Sequence, residues 1–149
     1  MPYTIAVLME TLRKSSFFPL GVFHEATSNV TLNDVTIHTG TAVCFNLHGA
    51  HHDPDVWDDP EKFKPDRFIK IENGNSKLVR HQASIPFSFG GRSCTGELLA
   101  KEFLFLCLTS LFQRFEFSLS SKDDIAKILK SNHGFFNLPP EVPLVLKRR

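Results

Sequence analysis

The feature that most constrains this chain is the glycine-rich segment around Cys94, which runs directly into a long apolar stretch. Gly90 and Gly91 permit backbone angles that a Cβ excludes, so a tight turn is cheap there. Gly96 lets a flat ligand approach the backbone two residues after the cysteine. Residues 98–112 are mostly apolar and predict a buried helix. The sequence therefore predicts that Cys94 lies at or just before a helix N-terminus.

This position suits a thiolate at Cys94. A helix N-terminus carries free N–H donors and the positive pole of the helix dipole, and both favour thiolate over thiol. Arg92 adds a cation nearby. A thiolate surrounded by glycines at a helix start is what a haem iron needs as an axial ligand. The alternative is a small buried cysteine in a glycine-rich turn, which is the usual state of an isolated cysteine.

Five fixed positions within ten residues favour the first interpretation, and they are Phe87, Gly90, Arg92, Cys94 and Gly96. The pattern Phe-x-x-Gly-x-Arg-x-Cys-x-Gly resembles the haem-binding signature of the cytochrome P450 family, the haem-thiolate monooxygenases, and is closest to the animal microsomal branch. The resemblance implies that Cys94 is the axial iron ligand of haem b. It also implies that Arg92 neutralises a haem propionate and that Phe87 shields the sulfur.

The composition suits one domain. The chain has 149 residues, and its formal charge of +1 argues against nucleic acid as a main partner. The three cysteines, Cys44, Cys94 and Cys107, are an odd set without framework spacing, so we expect reduced thiols. No apolar run reaches the roughly 18 residues of a membrane span, and no transmembrane segment is predicted.

Residues 2–14 predict an amphipathic helix, with an apolar stripe at i, i+3, i+4 and i+7. Glu10 and Arg13 lie three residues apart on its flank, so their side chains can meet. Such a pair is usually a surface ion pair worth at most about 1 kcal/mol. The family resemblance, which extends to a Pro-x-Arg-Phe element at residues 65–68, implies instead that Glu10, Arg13 and Arg67 form a structural triad.

Residues 15–46 change to a mixed apolar and polar pattern that predicts short strands. Asn33-Asp34 and Thr39-Gly40 are the predicted turns. By resemblance, this region includes the segment that crosses beside the haem, and His24 would contact a propionate.

Three histidines, His48, His51 and His52, invite a zinc interpretation, although the Glu of a zinc hydrolase and a nearby Cys pair are missing. The resemblance offers another account, in which residues 52–57 are the family's short helix before its meander. Residues 58–82 are polar and lack periodicity, so we expect an irregular loop. Three aromatic side chains would anchor that loop, and they are Trp57, Phe63 and Phe68.

The C-terminal part predicts a helix over 95–114 that is buried on nearly all sides, followed by a strand at 115–119. A short polar helix is predicted at 121–130. Three prolines between 139 and 143 predict a loop, which ends in an edge strand at 142–147.

The resemblance covers nearly the whole chain and implies an α+β, mainly helical fold. Small β-sheets, an irregular meander and a long helix after the cysteine loop are its parts. Residues 1–149 are expected to form a single partial domain, the C-terminal, haem-proximal part of a longer enzyme. The expectation follows from three elements not found here: the N-terminal membrane anchor, most substrate-contacting segments and the long distal helix.

For function, the resemblance implies insertion of one oxygen atom from O2 into a small apolar organic substrate. Electrons would come from an NADPH-dependent reductase on the proximal side, where Lys101 is either a contact or simply a solvated residue. Full-length relatives would reside at the endoplasmic reticulum membrane, on its cytoplasmic side. The alternative is an inactive truncated fragment or a haem-binding remnant without catalysis.

Overall fold

The computed structural model describes residues 1–120 and 134–149, and in them the chain has three α-helices, two short 3-10 helices (Pro65–Phe68 and Gly90–Arg92) and eight short strands. The α-helices are α1 (Pro2–Ser15), α2 (Leu47–His52) and α3 (Glu97–Arg114). The strands are β1 (His24–Glu25), β2 (Val30–Leu32), β3 (Val35–Ile37), β4 (Ala42–Val43), β5 (Ile69–Glu72), β6 (Asn75–Leu78), β7 (Phe115–Leu119) and β8 (Leu144–Arg148). This is an α+β arrangement, and the expectation of a mainly helical chain is not confirmed.

Helix α1 forms as predicted. Pro2 stands in its first turn, where the missing N–H costs no hydrogen bond. Ser16 ends the helix with a left-handed φ of 38°. The side of α1 that faces the interior carries Ala6, Glu10 and Arg13, all fully buried. A carboxylate and a guanidinium thus occupy places that an amphipathic helix normally gives to apolar residues.

The eight strands form four separate antiparallel pairs, β1–β4, β2–β3, β5–β6 and β7–β8. Asn33 and Asp34 adopt φ values of 44° and 61° in the predicted turn between β2 and β3. The β5–β6 hairpin lies within residues 58–82, so the expectation that this whole segment is irregular is wrong. Its turn is formed by Asn73 and Gly74, whose φ values of 52° and 76° fit a two-residue hairpin turn.

The buried apolar cluster is small and lies under α1. Ala6, Trp57 and Phe68 form its centre, and four half-buried side chains pack against them: Met9, Ile69, Leu78 and Ala83. Trp57 and Phe68 therefore anchor the segment, as predicted. The same prediction is wrong for Phe63, which is 51% exposed.

The short helix α2 ends at His52, so the predicted helix over residues 52–57 is wrong. The Asn46 side chain caps α2 by accepting the Gly49 N–H at 2.8 Å. Residue 53 is extended, as expected before a proline. Residues 53–57 then make a turn, in which the Trp57 N–H donates to the Asp53 carbonyl at 2.9 Å.

Helix α3 is not buried on all sides, contrary to the prediction. Helix α1 and strand β7 pack against parts of it, yet none of its residues is buried, and Leu98 and Leu99 are 71% and 73% exposed. Strand β7 occupies the predicted residues, and β8 matches the predicted edge strand to within two residues. The predicted helix over 121–130 lies outside the described residues. In the described ranges, no helix is both long and apolar enough to cross a membrane.

Candidate functional site

The cysteine loop, residues 86–96, is held by three backbone hydrogen bonds, one of which is donated by Cys94. The Cys94 N–H donates to the Phe87 carbonyl at 2.9 Å, which closes the loop. Ser88 N–H donates to the carbonyl of Ile85 at 2.9 Å, and Ser93 N–H donates to that of Gly90 at 3.1 Å. Cys94 itself is a free, exposed thiol. The loop therefore presents a sulfur atom from a fixed backbone.

The glycines of this loop have different roles. Gly90 adopts φ +77°, so its lack of a Cβ is required there, whereas Gly91 is not left-handed. Both glycines permit angles that a Cβ excludes, and of the two Gly90 adopts such an angle. Ser88 takes the other left-handed position, with φ 64°. A Cβ added at Gly90 or Gly91 would meet no atom within 4 Å, so the backbone there is open to a flat ligand.

Cys94 precedes α3 by three residues. Its carbonyl accepts the Glu97 N–H at 3.4 Å, and the Gly96 carbonyl accepts the Ala100 N–H at 2.9 Å, which starts the helix. A Cβ at Gly96 would lie 3.8 Å from the cysteine sulfur, an ordinary contact. The thiol thus lies close to the N-terminus of an 18-residue helix.

The other residues predicted to contact a cofactor lie around this loop at different distances. Arg92 is exposed in the turn just before Cys94. Phe87 is half-buried, and Lys101 Nζ lies 5.6 Å from the centre of its ring. His24, paired with Val43 across β1 and β4, is connected to the loop through two ring contacts. Its ring centre lies 5.6 Å from that of Phe45, which lies 5.6 Å from that of Phe89.

The structure brings Glu10, Arg13 and Arg67 together. Arg13 donates two hydrogen bonds of 2.8 Å to the Glu10 carboxylate, one from Nε and one from Nη2. Arg67 Nε lies 3.2 Å from Glu10 Oε1. The same oxygen accepts the backbone N–H of Lys64 at 2.9 Å. Glu10 thus ties α1 to the segment that leads into β5.

The two arginines also bind carbonyls in the last turn of α2 and in the loop that follows it. Arg13 donates to the carbonyls of His51 at 2.5 Å and Pro60 at 2.9 Å. Arg67 Nη1 donates to that of Asp58 at 3.0 Å. These segments lack strand partners of their own here, so guanidinium groups satisfy their carbonyls.

The carboxylate of Glu10 stays ionised in this environment. Burial alone would raise its pKa, but the hydrogen bonds from Arg13 and the Lys64 N–H, with the charges of Arg13 and Arg67, outweigh burial and lower it. Buried charge is therefore compensated at this point of the fold.

Trp57 completes the triad, and the sequence analysis missed this role. The guanidinium carbons of Arg13 and Arg67 lie 5.0 Å and 5.5 Å from the centre of its ring, within cation–π range. Its indole N–H donates to the Ala50 carbonyl at 2.8 Å. Trp57 lies eight residues before the Pro-x-Arg-Phe element, and this short separation is a signal for contact with Arg67. The sequence holds no comparable signal for its contact with Arg13 of α1.

The three histidines are engaged with protein groups. His51 Nδ1 lies 2.8 Å from Ser16 Oγ, and its Nε2 accepts the Ile85 N–H at 3.0 Å. His52 Nδ1 lies 3.0 Å from the His48 carbonyl, and the rings of these two residues stack at 4.1 Å. Within residues 1–120 and 134–149, no three His, Cys, Asp or Glu side chains are arranged to hold a metal ion. The zinc interpretation therefore gains no support.

The cysteine loop fits a haem iron by its chemistry. A thiolate is a strong soft donor, Cys94 is accessible, and the backbone beside it carries no side chain at Gly90 and Gly91. Phe89 and Leu98 are exposed apolar side chains on either side of the cysteine in sequence, 57% and 71% exposed. An apolar, flat group with anionic edges would find the Cys94 sulfur, exposed apolar side chains and the Arg92 cation within one short stretch of the chain.

Comparison with known proteins gives one consistent family. A family model described as cytochrome P450 matches residues 1–146. Cytochrome P450 2U1 of Bos taurus is 38% identical over 149 residues, all of this chain and 26% of that protein. Cytochrome P450 18a1 of Drosophila melanogaster is 36% identical over 149 residues, 27% of its length. Cytochrome P450 2J2 of Homo sapiens is 44% identical over 117 residues, 78% of this chain and 22% of that protein.

The chain spans about a quarter of the length of the curated relatives it matches, 26% to 27% for the three that align over all of it.

Proposed function

Because this chain belongs to the cytochrome P450 family, we propose that it supplies the thiolate-bearing side of a haem monooxygenase, with Cys94 as the axial ligand of the iron of haem b. The observation that carries the proposal is the exposed Cys94 thiol on a loop closed by the 2.9 Å bond from its N–H to the Phe87 carbonyl. A haem bound through a thiolate supplies the chemistry that cleaves the O–O bond of O2 and oxygenates an organic substrate.

The neighbouring residues have binding roles in this proposal. Arg92 is exposed beside the thiol, where a guanidinium can pair with a propionate through charge-assisted hydrogen bonds. His24 is a second propionate contact, reached along the ring contacts through Phe45. Phe87 limits the access of water to the sulfur. Gly90 and Gly96 keep the backbone close to the plane of the ligand.

We propose that residues 1–149 are the C-terminal, haem-proximal part of a longer enzyme. They would form a single partial domain. An NADPH-dependent reductase is the proposed electron donor, and small apolar organic molecules with O2 are the proposed substrates. Lys101 is a weaker candidate for reductase contact than the sequence suggested, because its Nζ forms an ion pair with Glu97 at 2.5 Å. The proposed location of the full-length protein is the cytoplasmic side of the endoplasmic reticulum membrane.

The ligand assignment is tested by the absorbance of the haem-loaded, reduced and CO-treated chain. The parent chain should show the red-shifted Soret band of a thiolate ligand, and Cys94→Ser should abolish that band. Cys44→Ser and Cys107→Ser are matched controls, because both residues are also free cysteines, and both variants should keep it. A Cys94→Ser variant that retains the band would refute the assignment.

A second candidate function is a haem-binding remnant without catalysis, and the exposure of α3 favours it for the chain as it stands. Leu98, Leu99 and Phe103 are 71%, 73% and 64% exposed. Oxygen chemistry requires exclusion of water and positioned proton donors, and we propose that these 149 residues do not oxidise a substrate by themselves. Reductase-dependent product formation by the purified chain with haem added would reject this second candidate.

A further inference from the structure

His51 is fully buried and connects three parts of the fold. Its carbonyl accepts Arg13 Nη1 at 2.5 Å, so its backbone is attached to the triad. Its ring reaches Ser16, the residue that ends α1, and the backbone of Ile85, one residue before the cysteine loop. The ring therefore lies between the end of α1 and the start of that loop.

The hydrogen bonds around the ring determine its tautomer. The Ser16 hydroxyl donates its proton to the Arg13 carbonyl at 2.9 Å, so Oγ can only accept from His51. Nδ1 must then carry a hydrogen. At the other side of the ring, Nε2 accepts the Ile85 N–H at 3.0 Å and must be unprotonated. Only the neutral Nδ1–H imidazole satisfies both contacts.

Two backbone hydrogen bonds connect the residue bound at Nε2 to Cys94. Ile85, fixed by this contact, accepts the Ser88 N–H through its carbonyl at 2.9 Å. That turn sets the direction of Phe87, whose carbonyl accepts the Cys94 N–H at 2.9 Å. One buried acceptor thus holds the first of three successive contacts that end at the thiol-bearing residue.

We propose that His51 is a positioning residue, which couples the triad of Glu10, Arg13 and Arg67 to the cysteine loop by holding the Ile85 amide. The proposal deepens the proposed function, since the loop matters as the site of the axial ligand. The alternative is a histidine that merely fills the interior. In that case loss of the hydrogen bond at Nδ1 or at Nε2 would affect the cysteine loop equally. In the proposed role, only the hydrogen bond at Nε2 holds the loop.

Two substitutions separate the two sides of the ring. In His51→Asn, the amide N–H can replace Nδ1–H toward Ser16, but the side chain is too short to reach Ile85. In His51→Gln, the longer amide can offer its oxygen to the Ile85 N–H but loses the bond to Ser16. Each variant thus removes one of two hydrogen bonds and keeps the other.

Hydrogen–deuterium exchange of the full 149-residue chain, with and without each substitution, is the test. In the Asn variant, exchange of the amides from 85 to 94 should accelerate about tenfold, as expected when one buried hydrogen bond is lost. The Gln variant should match the parent chain in that segment. Equal acceleration in both variants, unchanged exchange in both, or global loss of protection in both, would overturn the proposal.

The tautomer gives a spectroscopic readout. The ¹⁵N spectrum of His51 near neutral pH should show a protonated Nδ1 and an unprotonated Nε2, and the opposite tautomer would contradict the coupling. Neither measurement requires haem. A failure of the haem-thiolate assignment would therefore leave both results interpretable.

Discussion

The Arg13 guanidinium and the Glu10 carboxylate form two parallel hydrogen bonds, Nε to Oε2 and Nη2 to Oε1, each of 2.8 Å. Both side chains are fully buried one helical turn apart. The pair is therefore not the weak surface pair that its spacing alone suggests. The pair also holds two further groups, since Arg67 and the Lys64 N–H bind the same oxygen of the carboxylate.

Replacing Glu10 by Gln should strongly destabilise the chain. The substitution leaves Arg13 without its counter-charge in the interior, a class of change that costs about 3–5 kcal/mol. The free energy of unfolding in urea, followed by circular dichroism, measures this cost.

Glu61→Gln is the matched control for that experiment. Like Glu10, Glu61 forms an ion pair, in this case with Lys14, but the Glu61 side chain is 77% exposed. Removal of an exposed pair should cost less than about 1 kcal/mol. Equal costs for the two Glu→Gln variants would show that the buried triad does not stabilise the fold.

The stability of the chain should fall as the pH drops from 6.5 to about 4, because of His51. Burial is the main cause that lowers its pKa from 6.5 to about 4, and the charges of His52, Arg13 and His48 add to the effect. Between these pH values His51 is protonated in the unfolded chain and neutral in the folded chain. The stability that is present above pH 6.5 is therefore lost as the pH falls. The shift corresponds to roughly 3 kcal/mol.

His51→Gln should remove most of this dependence, since an amide does not titrate in the range. The measurement is the urea midpoint at several pH values for the parent chain and the variant. His38→Gln, which changes an exposed histidine, serves as the control and should keep the parent profile. A parent-like slope in the His51 variant would contradict the assignment.

Glu10 should add a second loss of stability at lower pH. Its pKa in the folded chain lies below its ordinary value of 4.5, so the carboxylate stabilises the fold above that value. The contribution is lost as the pH falls from 4.5 through the lowered pKa. Urea midpoints of Glu10→Gln should therefore change less than those of the parent chain below pH 4.5. A steeper fall in the variant than in the parent would contradict this sign.

The spacing of Glu10 and Arg13 on one helix indicates that their side chains can meet, whereas the contact with Arg67 is implied only by the family resemblance. Glu10 and Arg13 share one helix, and Arg67 stands in a short motif of its own. The β5–β6 hairpin also has a sequence signal, because Asn73-Gly74 is typical of a tight hairpin turn, although the surrounding stretch is polar and lacks periodicity. The irregular segment around that hairpin has no comparable signal.

The role of His51 could not be predicted, since its partners Ser16 and Ile85 are 35 and 34 residues away in the chain. No periodicity connects positions that far apart. The exposure of α3 could not be predicted for another reason. A high content of apolar residues predicts that the surface of a helix is buried. Whether it is buried depends on the neighbouring elements that pack against it.

Gly90→Ala should destabilise the chain, whereas Gly91→Ala should not. Gly90 has φ +77°, and a left-handed conformation costs a residue with a Cβ about 1–2 kcal/mol. Gly91 is not left-handed, and an added Cβ meets no atom within 4 Å. The two adjacent substitutions control for each other, and urea unfolding compares them. Equal effects would contradict the left-handed conformation of Gly90.

The exposed side of α3 should cause the chain to self-associate. Leu99 and Leu106 are 73% and 62% exposed and lie two helical turns apart, so they fall on one side of the helix. Association that hides a leucine gains about 1.5–3 kcal/mol for each side chain. Leu99→Gln/Leu106→Gln should therefore weaken self-association about tenfold or more. Sedimentation velocity measures the change.

A matched control for this last experiment is Glu102→Gln, which changes an exposed residue of the same helix without removing apolar surface. It should associate as the parent chain does, apart from the small effect of one charge. Binding of a hydrophobic dye should decrease in the double variant and not in the control. If the double variant associates as strongly as the parent, the contact surface lies elsewhere. The exposed residues of α3 would then not explain the behaviour of this chain in solution.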